Sequence, residues 1–279
     1  MTTTIDAPVL LTTPRPPVAG STFVTTTLTT AKRTVLQFFR TPQLLMMGTV
    51  QGALFLFMFR FVFGGAIKTG GAVTYVDFLV PGFLVTTVLW TGMSAASGVA
   101  EDSNTGVYDR LRSLPLPRSA VMLGRSLADT ALVSWGLLVT GVFGLLFGFR
   151  PHASAGAVLL AVAVMVVSGF AMTWVFVFLG LVSGSAQAAQ GMSMLVIPFS
   201  FVSSANVPIK SMPGWMQPFA ANQPISVMIN ATRSLMQGGT KRIGIEHTTT
   251  YWVVLTLIWC VGISVVFGYL CVARFSRTK

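Results

Sequence analysis

Six long apolar stretches constrain this chain more than any other feature of its sequence. Each has roughly 20 mostly uncharged residues, the length that a helix needs to cross the hydrocarbon core of a bilayer. They predict transmembrane spans at residues 44–63, 78–98, 127–147, 157–182, 188–205 and 252–273, and the fifth is the weakest because it is short and contains Pro198. The predicted fold is therefore an all-α integral membrane protein in which residues 22–279 form one transmembrane domain.

The charges of the chain are few and mostly basic. Only 9% of the residues are charged, whereas about 25% is usual in soluble domains. Lys and Arg number 18 against 7 Asp and Glu, which gives a net charge of +11. The basic residues lie between apolar stretches and not on one soluble face, so the composition predicts membrane lipids as surroundings and no nucleic-acid partner.

The distribution of basic residues between the loops predicts the orientation. Six spans place both termini on one side, and most Lys and Arg residues fall on that side: Arg15, Lys32, Arg33, Arg40, Arg110, Arg112, Arg118, Arg125, Arg274, Arg277 and Lys279. Because cytoplasmic loops carry the excess of Lys and Arg, both termini are predicted in the cytoplasm. Residues 1–21 are rich in Thr and Pro, lack the apolar core of a signal peptide, and are predicted to be a disordered cytoplasmic tail.

The segment 28–40 precedes the first span and has helical periodicity. Its apolar residues recur on one face, whereas Lys32, Arg33 and Arg40 occupy other faces; the apolar residues are Leu28, Ala31, Val35 and Phe39. This pattern predicts an amphipathic helix in the cytoplasmic interface of the membrane. A solvated basic linker is the alternative.

The loop at residues 101–125 is the most informative segment between two spans. It predicts a short helix, capped by Ser103 or Asn104 and ended by Pro115 and Pro117. Apolar positions at spacings of four and three residues fall on one face of this helix: Val107, Leu111 and Leu114. Such a helix on the positive side suits either docking to a cytoplasmic partner or simple contact with lipid headgroups.

The loop at residues 206–250 is apolar in places and contains further helical segments. Trp215 suits a membrane interface, and residues 225–236 form a helical pattern that Gly238 and Gly239 end. We therefore predict two short helices that lie in, or re-enter, the outer leaflet before the last span. Backbone of this kind is tolerated only when it packs against protein or a water-filled cavity.

Polar groups within the spans are candidates for function. The uncharged ones that best suit a protein interior or a translocation path are Gln51, Thr86, Thr87 and Thr91. Arg125 lies four residues before Asp129 on a helical path, so the two predict an i, i+4 ion pair. No acid lies in the middle of a span, which argues against an ion-coupled transporter.

The sequence contains no set of residues for catalysis. It lacks the phosphate-binding loop pattern, the motifs of hydrolases and a convincing metal-ligand set. It therefore predicts a protein that is not an enzyme and binds no metal or cofactor of its own. If the chain moves a solute uphill, the energy must come from another protein.

Two groups of residues resemble those of a known family. The first group, in the loop after the second span, resembles ABC-2 type transporter permeases: Glu101, Gly106, Leu111, Pro115, Gly124 and Arg125. The second group, before the last span, is similar to the branch typified by daunorubicin-resistance permeases: Asn222-Gln-Pro224, Arg233 and Gly238. The resemblance extends over residues 28–275.

The resemblance implies partners and roles for particular residues. A cytoplasmic ATPase in two copies would bind ATP and Mg²⁺, and a second permease subunit, identical or homologous, would complete the path in a bacterial plasma membrane. A coupling helix seated in the ATPase would involve Glu101, Gly106, Val107, Leu111, Arg112, Leu114 and Pro115. The interfacial helix, with Lys32, Arg33, Phe39 and Arg40, would brace it. The external helices would cap the exit as a gate, with Trp215, Asn222, Pro224 and Arg233.

The expected function is the permease subunit of an ATP-driven exporter of hydrophobic or amphipathic compounds. Two alternatives stay open at the level of sequence. One keeps the family and changes the cargo to a lipid-linked glycan or an envelope lipid. The other is a membrane anchor or assembly protein that transports nothing.

Overall fold

The structure is a computed structural model that describes residues 22–41, 52, 54–62, 64, 74–205 and 208–277. These residues form helices and connecting loops, with no strand among them. The helices are α1 (Phe23–Phe39), α2 (Tyr75–Asn104), α3 (Val107–Ser113), α4 (Arg118–Leu146), α5 (Ala155–Val182), α6 (Ala186–Met194), α7 (Val196–Phe201), α8 (Gln217–Asn222), α9 (Pro224–Met236), α10 (Thr240–Ile243) and α11 (Thr249–Arg277). The tail predicted over residues 1–21 lies outside the described residues.

In the part of the chain that the structure describes, four helices have the length and apolar character of membrane spans. They are α2, α4, α5 and α11, and their candidate spans are 28 to 30 residues long. They contain the second, fourth and sixth predicted spans and all but the last residue of the third. Half of the first predicted span lies outside the described residues, although residues 54–62 are helical and Leu56 is buried in the main core.

The fifth predicted span does not form one helix. Residues 188–205 divide between α6 and α7, which are separated at Leu195, and end in a turn. Pro198 gives the physical reason, because it has no backbone N–H to donate to the carbonyl of Met194. The structure therefore replaces a predicted continuous span by two short helices.

The helix α2 forms the centre of the bundle. It packs against α4, α5, α6 and α9, and its side chains are buried around most of its circumference. One end of α2 lies beside α3, and the other end lies beside α9. We call these the α3 end and the α9 end of the bundle.

The helix α1 runs alongside the first half of α4 and in the same direction. Thr27 donates a hydrogen bond to the carbonyl of Ala120 (3.3 Å), and the ring of Phe39 contacts that of Trp135 (5.6 Å). The predicted amphipathic helix is therefore present, but it is aligned with α4. The face of α1 that contains the buried residues Thr26 and Thr27 packs on α4. The exposed apolar residues of α1 are Phe23, Val24, Leu28, Leu36 and Phe39.

Gly124 permits the close approach of α1 to α4. A Cβ at this position would lie 2.6 Å from the carbonyl oxygen of Thr27 and 2.8 Å from the Cβ of Thr30. We expect Gly124→Ala to destabilise the protein by about 1–3 kcal/mol, because backbone atoms of α1 must move. Thermal unfolding in detergent measures this. Gly141→Ala on the same helix is the matched control, since a Cβ there would contact nothing within 4 Å; equal melting temperatures for the two variants would contradict the prediction.

Candidate functional site

The short helix α3 begins at a glycine. Gly106 is its N-cap residue, has a φ of 71° in the left-handed region, and provides no side-chain cap. The prediction of Ser103 or Asn104 as the cap is wrong, because the chain turns sharply after α2 and only glycine adopts this φ without a Cβ penalty. The helix ends at Ser113, shortly before Pro115 and Pro117, the two prolines that were predicted to end it.

One face of α3 packs against the end of α11. The ring of Tyr108 meets that of Phe275 edge-on at 5.5 Å, and Arg112 lies over the same ring at 4.7 Å. Leu111 packs on the same apolar cluster. Burial raises the pKa of the Tyr108 hydroxyl above its ordinary value.

The opposite face of α3 is exposed. Asp109, Arg110 and Ser113 are exposed on it, followed by Leu114, which is 52% exposed, and Pro115. Of the other predicted coupling residues, Glu101 is exposed at the end of α2, whereas Val107, Leu111 and Arg112 are half-buried. The predicted apolar face is therefore divided, because Leu111 contributes to the chain's own core and Leu114 does not.

A charge cluster with a buried centre lies beneath α3, and we call it the Arg125 cluster. Arg125 donates to Asp129 through Nε (2.9 Å) and to Asp102 through Nη1 (2.6 Å), and Arg33 of α1 lies 3.8 Å from Asp102. The predicted pair of Arg125 and Asp129 is confirmed. The contact with Asp102 was missed, because it joins two helices and no spacing in the sequence marks it.

The basic residues of α1 lie on its exposed side. Lys32, Arg33 and Arg40 are exposed, as is Phe39. Arg33 and Arg40 also line an open cleft of about 350 Å³, together with Leu36, Gln37 and Thr41. The Arg33 contact with Asp102 connects this surface to the Arg125 cluster.

The α9 end contains a second buried polar cluster, which forms around Pro81. Because Pro81 has no N–H, the carbonyl of Asp77, four residues earlier, loses its helical donor. The side chain of Gln237 donates to this carbonyl at 3.0 Å, and His152 Nδ1 lies 3.0 Å from the Gln237 amide oxygen. The Asp77 carboxylate accepts from the backbone N–H of Arg150 at 3.0 Å.

Arg233 is the centre of this region, and we call it and its partners the Arg233 cluster. Its side chain is fully buried, and it donates to the carbonyls of Phe78 (3.0 Å), Ser204 (2.8 Å) and Ala205 (3.3 Å). Its guanidinium lies 3.7 Å from the centre of the Phe78 ring. Among the described residues it forms no ion pair, so backbone dipoles and an aromatic face solvate the cation.

The other predicted gate residues lie nearby and differ in exposure. Trp215 is 79% exposed, Asn222 is exposed and donates to Pro218 O (2.9 Å), and Pro224 begins α9. The predicted helix over residues 225–236 is confirmed, and Gly238 and Gly239 follow it. Gln223 was missed: its side chain is buried and donates to the carbonyls of Phe199 and Val202, which ties α9 to α7.

Of the threonines predicted for the translocation path, Thr87 and Thr91 lie at the contact of α2 with α4, and Thr86 is buried elsewhere on α2. The hydroxyls of Thr86 and Thr87 donate to the carbonyl of Phe83, and that of Thr91 to Thr87 O. Thr87 also contacts Thr140 of α4 at 3.4 Å. Their hydroxyls therefore satisfy backbone and pack between helices in this single chain; Gln51 lies outside the described residues.

Comparisons with known proteins agree with this architecture. The sequence model of the ABC-2 type transporter family matches residues 25–236. A daunorubicin resistance ABC transporter permease protein of Streptomyces coeruleorubidus is 34% identical over 264 residues, which cover 94% of this chain and 89% of the relative. This chain belongs to the ABC-2 type transporter family.

Two other relatives carry similar descriptions. A probable doxorubicin resistance ABC transporter permease protein of Mycobacterium tuberculosis is 26% identical, over 89% of this chain and 87% of its own length. A doxorubicin resistance ABC transporter permease protein of the same species is 29% identical, over 82% and 80%. The part of the chain that the ABC-2 model matches includes α3, the Arg125 cluster and Arg233, whereas α11 lies beyond it.

Proposed function

We propose that this chain is the transmembrane permease subunit of an ATP-driven exporter of hydrophobic or amphipathic, drug-like compounds. The similarity to a daunorubicin resistance permease over 94% of the chain carries this proposal. The proposed complex contains a cytoplasmic ATPase in two copies, which binds ATP and Mg²⁺, and a second permease subunit. The chain is proposed to cross a bacterial plasma membrane six times with both termini in the cytoplasm.

The structure supports a docking role for the exposed face of α3. The helix lies between two candidate spans, α2 and α4, and one face of it is already packed on a third, α11. An element with its inner face fixed and its outer face exposed suits a partner that pushes on it from the cytoplasm. The proposed docking surface consists of Glu101, Asp109, Arg110, Ser113, Leu114 and Pro115.

The Arg233 cluster supports a gating or bracing role at the outer side. Arg233 joins α9, the first turns of α2 and the turn after α7 through carbonyl contacts. Any opening between α2 and the outer short helices must therefore displace this side chain. We propose that the exit closes around this junction, with Trp215, Asn222 and Pro224 at its rim.

The proposed function is tested by reconstitution. The chain, produced with the ATPase of its own genome neighbourhood, is expected to co-purify with it and to move an anthracycline into inverted membrane vesicles only when ATP is present. Failure of the intact chain to bind any ATPase would refute the permease role. ATP-dependent movement of an envelope glycolipid, with no movement of the drug, would show that the permease exports a lipid and not a drug.

Leu114→Asp is expected to reduce ATPase binding and transport about tenfold, because a charge would enter the proposed apolar contact, at a cost of about 1.4 kcal/mol. Co-purification from membranes and ATP-dependent drug uptake measure the effect. Phe219→Asp, where the native side chain is 51% exposed at the α9 end, is the control for ATPase binding. Unchanged ATPase binding by Leu114→Asp would exclude this residue from the docking surface.

A further inference from the structure

The last turn of α11 makes more specific contacts with the α3 region than core packing requires. Arg112 of α3 donates through Nε to the carbonyl of Phe275 at 3.1 Å. Arg118, at the start of α4, donates to the carbonyl of Ser276 at 3.4 Å. The ring of Phe275 is 1% exposed and lies between Tyr108 and the Arg112 guanidinium.

The end of a helix explains why arginines are placed here. The carbonyls of the last turn of a helix lack donors within it, and the described part of α11 extends to Arg277. The carbonyl end of the helix dipole also favours a positive charge. Arg112 and Arg118 therefore satisfy two carbonyls of the final turn and place their charges where the dipole stabilises them.

Of the residues of α3, Arg112 makes the most of these contacts. Asp109 accepts from Arg112 Nη1 at 2.7 Å, so its carboxylate holds the guanidinium while Nε donates to Phe275. Arg112 is thus oriented from both sides, and little of its side chain faces solvent: 16% is exposed, against 71% for Asp109. A residue held in this way positions its own helix and is poorly placed to contact a partner.

We infer that the last turn of α11, centred on Phe275, is a seat that positions α3 for the ATPase, and that Arg112 and Phe275 are positioning residues for energy coupling. This inference rests on the proposed docking role of α3. Movement of α3 under the ATPase is passed to α11 through this seat. Without it, α3 keeps its flanking loops and the packing of Tyr108 and Leu111 in an apolar cluster with residues of α2, α4 and α5.

The helix α11 is suited to transmit such a movement. It has 29 residues, so it is about 43 Å long, and it is uninterrupted by proline. At its other end Thr256 donates to the carbonyl of Val227 in α9 at 3.4 Å. One rigid helix therefore contacts both the proposed docking helix and the helix that contains Arg233.

The test compares two seat variants with two matched controls. Arg112→Lys keeps the charge but loses the planar guanidinium and its Nε donor; Phe275→Leu keeps an apolar side chain but loses the ring. Arg242→Lys changes an exposed arginine of α10, outside the proposed docking surface, and Phe267→Leu changes a ring of α11 that packs in the same apolar cluster, against Phe178. Each chain is purified with its ATPase, and basal and anthracycline-stimulated ATP hydrolysis are measured.

Both seat variants are expected to retain the ATPase and its basal hydrolysis, whereas drug stimulation and vesicle transport fall about tenfold, equivalent to about 1.4 kcal/mol. The two controls are expected to match the native chain. The inference would be refuted if Arg112→Lys kept native drug stimulation and transport. It would also be refuted if Phe267→Leu and Phe275→Leu lost them equally. If Phe275→Leu fails to fold, Arg112→Lys decides alone. Failure of the proposed function itself is seen separately, because the unmodified chain would then bind no ATPase.

Discussion

Arg125→Met is expected to prevent most of the protein from accumulating in a folded form. Asp129 is 2% exposed and would remain buried without the guanidinium that neutralises it. Removal of one partner from a buried ion pair costs about 3–5 kcal/mol, which is a large fraction of the about 5–15 kcal/mol that stabilises a typical domain. The membrane fraction and the melting temperature in detergent measure this loss.

The second variant, Arg125→Met with Asp129→Leu, separates lost charge balance from lost packing. It removes both buried charges, and replacement of a buried pair by apolar residues is often neutral. Asp102 keeps its contact with Arg33 and is partly exposed, so it tolerates the change better. We therefore expect the double variant to recover most of the stability. A double variant that is no more stable than Arg125→Met would show that the ion pair is not the cause.

Arg233→Met is expected to destabilise the α9 end by about 2–4 kcal/mol, since the carbonyls of Ser204 and Ala205 lose the charged donor that now satisfies them. The cost is lower than for Arg125 because the substitution leaves no buried charge behind. Protease cleavage in the loops around α7 and α9, together with the melting temperature, measures the effect.

An exposed arginine in the same region provides the control for Arg233. Arg242 of α10 is exposed, so Arg242→Met is expected to change stability by less than about 0.5 kcal/mol. Arg233→Lys should be intermediate, because an ammonium retains the charge but cannot form the planar fork that reaches three carbonyls. Native stability and cleavage in Arg233→Met would contradict the role of this side chain as a junction.

The two buried arginines stabilise the bundle in different ways. Arg125 is neutralised by two carboxylates near α3, whereas Arg233 is solvated by carbonyls that irregular backbone leaves available. The turn after α7 leaves the carbonyls of Ser204 and Ala205 available to Arg233, and Pro81 leaves the carbonyl of Asp77 available to Gln237. That arrangement suits an end that opens and closes, since carbonyl contacts exchange at a lower cost than a buried ion pair.

Much of the candidate site could be predicted from residue types and spacing. The length of apolar stretches predicted α2, α4, α5 and α11, and the pair of glycines predicted the end of α9. The i, i+4 spacing predicted the contact of Arg125 with Asp129, because both lie on one helix. These features depend on neighbours in the chain, and local geometry determines them.

Other parts of the site required the packed structure. The spacing of Val107, Leu111 and Leu114 suggested one docking face, but α11 covers Leu111 and leaves Leu114 exposed. Apolar periodicity shows that a face is buried and does not show which protein buries it. Gln223 and Gln237 had no signal in the sequence, because each satisfies carbonyls released by a break elsewhere in the chain.

The sequence by itself determined the membrane class, the family and the absence of an ATP-binding motif, since each depends on composition or on residues close together in the chain. The tertiary structure decided the division of residues 188–205 into two helices, the alignment of α1 with α4, and the place of the arginines. Arg112 and Arg118 count as positive loop charges in the sequence, yet in the fold they cap a helix more than 150 residues away. Contacts between distant segments depend on how the helices pack, and no periodicity within one segment encodes them.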